Sequence, residues 1–541
     1  MKLFRVILAL ICVVSFSSEA AYRAHYKIDL KSGVKTLVDA RADSKPGTSK
    51  IVRSLPYYIG HGPDDLRYRY EEHEFVNAEV PRNVRALAEK VALMDAAPSA
   101  NEMRVIREQG PVENRINLTI IGDGYTINEK EKFFADVERT VRGLFETKTF
   151  QSYLPLFNVY AVYVPSAVSG IGEGRPKNTA FGLYRDPAGS KRAIMPGNES
   201  AMARAITLAP KTDYPIVLAN DEYYGGLGGR WAISTSSVTS GLIVLRHELG
   251  HNFGEVGEEY DNGYVYSGAN STRSANNPSW KQWVEGTTEV HEAELLSGDY
   301  AWKNLSTGAY QASFKVPADK SLLQIELSTV GWSAPSEVSV VLNGTEMNYD
   351  GIFHKDRSFF KFAPTTVQPG SSYQLKIAER VKDGDNVLGF ALAYAMPANY
   401  NFSYGKIGAF ASYSAYGAKS YRPTHDSCLM KDMLRESFCA VDQENMWIQF
   451  LERVSLVDSV NISADGTLKN IEVKTPPIAD LEIVWFKRAG SSWQELSEIR
   501  NQHSWKAEDA ASGSYRVSVR MKSAEVRMQS AHLEDSKEFR F

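Results

Sequence analysis

The sequence predicts an α+β chain of several domains, with a mixed α/β core that is interrupted by one β-sandwich and flanked by β-rich modules. Three observations carry this expectation. A length of 541 residues gives room for three or four domains at about 150 residues each. Apolar residues make up 43% and aromatic residues 11%, enough to fill several cores and too much for a disordered chain. Strand and helix patterns alternate from Asn117 onward, whereas period-two alternation dominates before that point and again after about residue 300.

The first 20 residues have a texture of their own. Lys2 and Arg5 precede an apolar run over residues 6–16, and Ser18, Glu19 and Ala20 form a small-x-small cleavage pattern. This is the layout of a secretory signal peptide cut after Ala20, and the run is shorter than the about 20 apolar residues of a spanning helix. No other long apolar run follows, so the expectation is an exported chain, secreted or periplasmic, with no integral membrane segment. Lys plus Arg is 61 against 65 Asp plus Glu, a net charge of −4. That balance lacks the basic footprint of a nucleic-acid binder or of a protein drawn to anionic lipid.

Residues 21–110 alternate, as at Tyr26, Ile28 and Leu30, and read as an N-terminal β-rich module. Residues 118–121 are a short apolar strand, and Gly122, Asp123 and Gly124 are a turn. Thr126 with Glu129 makes a capping box that opens a helix to about Phe145. Residues 157–164 and 214–219 are two more apolar strands. The glycine run 225–229 lacks the Lys-Ser/Thr pair of a phosphate loop and the spacing of a dinucleotide fingerprint. It reads as a flexible turn beside an edge strand able to pair with an extended peptide.

Alternation at Leu323, Ile325 and Leu327 and at Tyr373, Leu375 and Ile377, with Asn343-Gly344 as a hairpin turn, predicts a β-sandwich inserted over residues 296–400. The insertion divides the core into a first part, 111–295, and a second part, 401–456. The second part holds a helix from about residue 442 to 454, whose stripe Met446, Trp447, Phe450, Leu451 and Val454 belongs to a core. Residues 457–541, with Tyr515, Val517, Val519 and Met521 alternating, predict a C-terminal β-sandwich. Removal of the signal takes Cys12 with it and leaves Cys428 and Cys439. In an oxidising compartment that spacing predicts a disulfide, worth about 3 kcal/mol in the chain-entropy model. Seven Asn-x-Ser/Thr sequons, at Asn117, Asn198, Asn270, Asn304, Asn343, Asn401 and Asn461, bear on the protein only in a glycosylating host.

The chemistry lies in one segment. His247, Glu248 and His251 form a His-Glu-x-x-His pattern behind an apolar run at residues 242–245. On a helix, residues four apart share a face, so the two imidazoles can bind one metal ion with Glu248 beside them as a base. Three fixed residues in this pattern arise by chance in a chain of this length about once in a hundred. Catalytic zinc takes three protein ligands and keeps one position open. Gly254 can break the helix and return the chain, and the acids that follow are Glu255, Glu258, Glu259 and Asp261. Glu255 follows the break too closely. Glu258 is the favoured third ligand, with Glu259 as the alternative. A rival geometry takes the third acid from Glu285, Glu289, Glu292 or Glu294 on a second helix, although Gly286-Thr287-Thr288 interrupts that stretch.

His247, Glu248, His251, Phe253 and the run from Glu258 through Glu259 and Tyr260 to Asp261 resemble the motif of the M64 metallopeptidases, called IgA peptidases or igalysins, of the metzincin group. Gly122-Asp123-Gly124-Tyr125, Phe157-Asn158-Val159 and Val164-Pro165-Ser166 are similar to early blocks of that family. Tyr421-Arg422-Pro423 and Cys428-Leu429-Met430 are similar to a later one. The resemblance covers roughly residues 115–265 and 405–455. It implies a metzincin-like mixed α/β zinc-peptidase domain, one catalytic Zn2+, and Met430 as the methionine of a Met-turn beneath the metal.

These residues point to a secreted zinc-dependent endopeptidase acting on proteins or peptides. Zinc lowers the pKa of a coordinated water toward about 7 and polarises the scissile carbonyl, while Glu248 accepts the water proton and returns it to the leaving amine. The imidazoles bind neutral, so acid is expected to release the metal. Two other classes use the same residues. One is a surface protein whose β modules bind glycan or protein and whose metal site is vestigial; the other is a zinc exopeptidase or amidase. His425, near the Met-turn, reads as a loop histidine.

Overall fold

The computed structural model describes residues 101–186, 192–349, 353, 356–466, 468–508 and 511–541, together with strands in the first hundred residues. Apart from the strand Ala9–Leu10, the expected signal segment lies outside the described residues, as does its cleavage after Ala20. The chain divides into two compact units, residues 1–102 with 197–208, and residues 103–196 with 209–541. In the first unit Ala21–Ile28 pairs antiparallel with Lys35–Asp43, and Tyr57–Ile59, Arg67–Tyr70 and Glu74–Val76 form an antiparallel ladder. Its helix Glu199–Ala205 is capped by Asn198, whose side chain accepts from the Ala201 N–H at 3.1 Å.

The second unit is built on a six-stranded sheet. Its strands are β1 (Glu102–Arg107), β2 (Ile116–Asp123), β3 (Phe157–Tyr163), β4 (Tyr214–Ala219), β5 (Gly226–Leu227) and β6 (Ala232–Thr235), in the order β5-β6-β4-β2-β3-β1. Strands β6, β4, β2 and β3 run parallel, and β5 closes one edge antiparallel to β6. Every residue of β2 and of β3 is buried, which is why both read as unbroken apolar runs rather than alternating ones. The sequence placed β1 in the N-terminal module, whereas it joins this sheet as an edge strand. A short strand at an edge carries too little pattern to reveal its partner.

Helix α1 (Lys130–Phe145) begins after a 3-10 turn at Ile127–Glu129 and buries Phe133, Val137, Val141 and Leu144. Its start is held by Glu129, which accepts from the Thr126 N–H at 2.9 Å, the Thr126 hydroxyl at 2.8 Å, the Ser169 hydroxyl at 2.8 Å and the Asn220 amide at 3.0 Å. One carboxylate thereby ties the helix start to the loop after β3 and to the end of β4. Helix α2 (Gly241–Gly254) follows β6 and packs on it, and α3 (Ala440–Leu451) packs against α2. No helix of the described residues is long and apolar enough to cross a membrane.

Between α2 and α3 lies a pair of antiparallel sheets. One contains Glu294–Asp299, Val387–Met396, Leu322–Val330 and Ser358–Lys361 in that order, and the other Tyr310–Lys315, Ser372–Glu379, Val338–Leu342 and Thr345–Glu346. They share a core that includes Ile325, Trp332, Val340, Phe360 and Ile377. Asn343 and Gly344, at φ 47° and 81°, make the two-residue hairpin turn. After α3, two more antiparallel sheets span Ser459–Asp465 to Glu534–Arg540, and their Ile471, Ile483, Trp485 and Val517 continue the same core as the parallel sheet. The buried pair Arg115–Asp458, 2.6 Å apart, fastens that C-terminal part to the start of β2. The described chain is thus mixed α/β, with many sheets and few helices.

Partial burial alone would raise the Glu129 carboxyl, but the Thr126 N–H, the Ser169 and Thr126 hydroxyls and the Asn220 amide together hold it at about 2. A lowered native pKa stabilises the fold above the usual carboxylate range and loses that effect as pH falls toward 2. Glu129→Gln should cost about 1 kcal/mol near neutral pH. Urea unfolding of both proteins should show the difference shrinking between about pH 4.5 and pH 2. A gap that stays constant across that window would exclude this role.

Candidate metal centre

Helix α2 is held from several sides. Leu245, Leu249 and Phe253 are buried. The Phe253 ring sits among Phe150, Phe157, Tyr214 and Phe450 at centroid distances of 5.2, 5.3, 4.9 and 5.5 Å. At the N-terminal end the Asp356 carboxylate accepts from the Ser237 and Ser240 hydroxyls at 2.5 and 2.6 Å, which places negative charge at the positive end of the helix dipole. Beneath the helix, Met430 is fully buried, and its Sδ lies 2.7 Å from where a Cβ on Gly250 would stand.

His247 and His251 project from successive turns with ring centroids 5.0 Å apart and planes at 90°. The helix continues through Gly254, and the left-handed residue is Glu255 at φ 50°. The break expected at Gly254 therefore falls one residue later, since the Gly254 carbonyl takes the Asn445 amide while the Glu255 N–H still reaches the His251 carbonyl at 3.0 Å. The chain then doubles back. The Gly257 N–H donates to the Asn270 side chain at 2.9 Å, the Asn270 amide returns to the Gly257 carbonyl at 2.9 Å, and the Glu258 N–H reaches the Val265 carbonyl at 2.7 Å. A Cβ on Gly257 would fall 2.5 Å from the Ser267 carbonyl oxygen, so this turn admits only glycine without a shift of backbone.

The reversal delivers Glu258 to the imidazoles. Its Oε2 is 3.0 Å from His247 Nε2 and its Oε1 is 3.3 Å from His251 Nε2. Donor atoms of the three residues lie within 4.8 Å of one another. Glu259, the alternative ligand, turns the other way: its N–H reaches the Met430 carbonyl at 3.2 Å and its carboxyl is buried beside Cys428, Cys439 and Asp442. The acids of the rival geometry are elsewhere, with Glu289 paired to Lys406 at 3.0 Å, Glu292 accepting from Tyr421 at 2.7 Å, and Glu285 and Glu294 exposed.

Second partners set the protons. His251 Nδ1 lies 2.7 Å from the Val256 carbonyl, so it carries a hydrogen and leaves Nε2 as the ring nitrogen that faces Glu258. Burial alone would lower the His251 pKa, but the hydrogen bond and charge of Glu258 and the Val256 carbonyl raise it to about 9. Burial would likewise raise Glu258, yet the neighbouring histidines hold it well below the usual carboxylate range. Buried His247 Nδ1 has no hydrogen-bond partner among the described residues. Two imidazoles and one carboxylate, converging with one side open to a cleft, fit a divalent, borderline-soft cation such as zinc.

The cleft has a volume of about 410 Å³ and is lined on one side by His247, Glu248, Glu258, Tyr260 and β5. Its other wall comes from the inserted sheets and includes Arg357, Phe359, Phe390 and Leu392. Glu248 packs against the glycine run, where a Cβ on Gly228 would lie 2.1 Å from Glu248 Oε2. The edge of β5 is less open than its sequence suggested, because Ala193 bridges Gly226 and the Gly226 N–H donates to the Arg192 carbonyl at 3.0 Å. Tyr260, whose ring is 5.8 Å from that of His247, keeps its phenol proton, since burial and then the Glu258 charge push its pKa well up. His425 is a core residue, bonded to the Tyr400 hydroxyl at 3.0 Å and lowered to about 3, chiefly by burial.

The later block carries one correction. Cys428 and Cys439 are free and buried, not joined in the expected disulfide. Each sulfur faces a carboxyl instead, Cys428 Sγ at 3.0 Å from Asp442 Oδ2 and Cys439 Sγ at 3.9 Å from Glu259 Oε1. The sequence also gave no role to Gly228, Asn270, Tyr260, Arg357 or Phe359. Tyr260 lay inside the recognised motif, whereas the alternation around Phe359 encodes only a sandwich core and carries no mark of the cleft.

Among known proteins, residues 105–319 match the sequence profile of the family described as IgA Peptidase M64. The matched stretch contains the whole α2 motif and ends before Met430. No curated protein matches the chain. Solved structures returned as similar include a β-glucuronidase from Ruminococcus gnavus in complex with uronic isofagomine. It is 12% identical over 42% of this chain and 34% of its own, with a TM-score of 0.10. A second structure of that enzyme, in complex with D-glucuronic acid, is 14% identical over 42% and 35%, also at 0.10. The chain spans about a third of the length of these structures.

Two substitutions separate the roles of the site residues. Glu258→Ala should weaken zinc binding by more than about 100-fold in a chelator competition, since it removes a donor outright. Gly228→Ala should displace the Glu248 carboxylate and lower kcat about 10-fold or more while zinc content and melting temperature stay unchanged. Zinc affinity unaffected by the first change, or kcat unaffected by the second, would contradict these assignments.

Proposed function

We propose, from the match of residues 105–319 to the IgA peptidase M64 family, that this chain is a secreted zinc-dependent endopeptidase that hydrolyses peptide bonds of extracellular proteins. The observation that carries this reading is the convergence of His247, His251 and Glu258 beside a cleft that His247, Glu248 and Glu258 line. His247 and His251 would hold the ion through Nε2, with Glu258 as the anionic third donor. When bound there, zinc supplies Lewis-acid polarisation of the scissile carbonyl and acidifies water toward a pKa of about 7.

The remaining work belongs to the chain. Glu248, positioned by Gly228, accepts the proton of the attacking water and returns it to the leaving amine. Tyr260, protonated beside Glu258, offers a hydroxyl to the oxygen on which charge develops. Arg357, Phe359 and Phe390 on the inserted sheets supply a wall against which a bound peptide excludes water. The antiparallel edge strand beside the cleft, the acid just past the helix and the methionine beneath it support a metzincin-like catalytic domain. Export is supported by the basic and then apolar composition of the first 20 residues.

The test is cleavage of casein and of a peptide library by wild type and Glu248→Gln. The variant should keep its zinc and lose about 100-fold to 10,000-fold in kcat/KM, the range for removal of a general base. Cleavage at internal bonds marks the endopeptidase; removal of terminal residues alone would favour the exopeptidase. Equal activity in both proteins would remove the peptidase reading.

A further inference from the structure

Behind the catalytic helix the structure gathers a second set of donors. Glu259, Cys428, Cys439 and Asp442 each place one ligand atom within 4.8 Å of all the others, and all four residues are buried. They come from three elements: the acidic run after α2, the Met430 turn, and the start of α3. We infer that this cluster is a structural transition-metal site, closed to solvent and distinct from the catalytic centre, whose preferred ion is zinc.

The geometry and the residue types both support this. Four ligands around zinc, at about 2.3 Å for sulfur and about 2.0–2.2 Å for oxygen, stand roughly 3.3–3.8 Å from one another in a tetrahedron. Cys428 Sγ and Asp442 Oδ2 are 3.0 Å apart, and Cys439 Sγ and Glu259 Oε1 are 3.9 Å apart, so small adjustments complete the shell. A full set of protein ligands with no open position is the mark of a structural site rather than a catalytic one. Two thiolates select a borderline or soft ion over calcium or magnesium.

The second, independent observation is what the carboxyls lack. Among the described residues, no hydrogen-bond donor reaches buried Glu259 Oε2 or Asp442 Oδ1. Orphaned buried carboxyl oxygens are rare and costly. The nearby guanidinium of Arg422 is occupied, donating to the carbonyls of Ala411, Thr424 and His425 and lying 3.6 Å from Asp261. A divalent ion held by these two carboxylates would balance the buried charge that their unpartnered oxygens share, and its uptake releases the thiol protons to solvent. Two thiolates with two carboxylates carry the same formal charge as a four-cysteine zinc site. The ion would join the acidic run that presents Glu258 to the turn that carries Met430, making the floor of the active site one unit.

Metal content of the purified full chain tests this, and it is read separately from the catalytic site. Wild type should hold two equivalents of zinc, and the His247→Ala, His251→Ala double variant should keep one. Cobalt reconstitution of that variant should give an intense thiolate-to-cobalt charge-transfer band, which the two histidines and Glu258 cannot produce. Cys428→Ser with Cys439→Ser should abolish the band. Wild type itself serves if either variant fails to fold, because two equivalents with a thiolate band require the second site. One equivalent in wild type, a reconstituted protein without the band, or an intact mass lower by two hydrogens, as for a disulfide, would each overturn the site. Loss of peptidase activity with both equivalents retained would instead count against the catalytic reading alone.

Discussion

A carboxylate wedged between two imidazoles at the end of a buried helix is the constraint on which the rest of this structure depends. Helix geometry brings His247 and His251 together at no extra cost. The acid must be carried back against the direction of the chain. That reversal uses a left-handed residue at Glu255, a glycine at 257 pressed against the Ser267 backbone, and the Asn270 side chain bonded to both the N–H and the carbonyl of Gly257. Asp261 then anchors the far end of the motif, accepting from the Tyr413 N–H at 2.6 Å across 152 residues of sequence. The far end of the motif is therefore held by the strand Ala409–Tyr413, which the chain reaches only after the inserted sheets.

The same acidic run serves two interiors. Past the helix, Glu258 and Glu259 leave the backbone in opposite directions, one toward the imidazoles and the cleft, the other toward Met430, Cys428 and Asp442. One residue of register separates a charge that faces the cleft from a carboxyl sealed in the core, which is why Glu259 stood as an alternative to the favoured Glu258 in sequence and does not in space. Beneath them Met430 presses on Gly250 while Phe253 fills an aromatic cage, so helix, acid and floor are held by packing as well as by polar contacts.

The inserted sheets do more than interrupt the core. Asp356 bonds the serines at the start of α2, and Arg357, Phe359, Phe390 and Leu392 line the cleft opposite Glu248. The cleft wall opposite Glu248 thus belongs to a segment whose alternating pattern announces only a sandwich. The glycine run behaves similarly. Its sequence suggested an open edge, but the Arg192 carbonyl and Ala193 occupy that edge at Gly226, and the useful feature proved to be the room that Gly228 leaves for Glu248.

Local chemistry made part of this protein legible. The capping box at Thr126 and Glu129, the unbroken apolar runs that became β2, β3 and β4, the Asn343-Gly344 turn and the i, i+4 histidines are all determined by interactions within a few residues, so the sequence by itself settled them. The choice of Glu258 over Glu259, the helix end at Glu255, the free cysteines facing carboxyls and the composition of the cleft wall were decided only in three dimensions. Each depends on a partner between 11 and 190 or so residues away, and contacts at that range follow from how layers pack, which no local pattern of residues encodes.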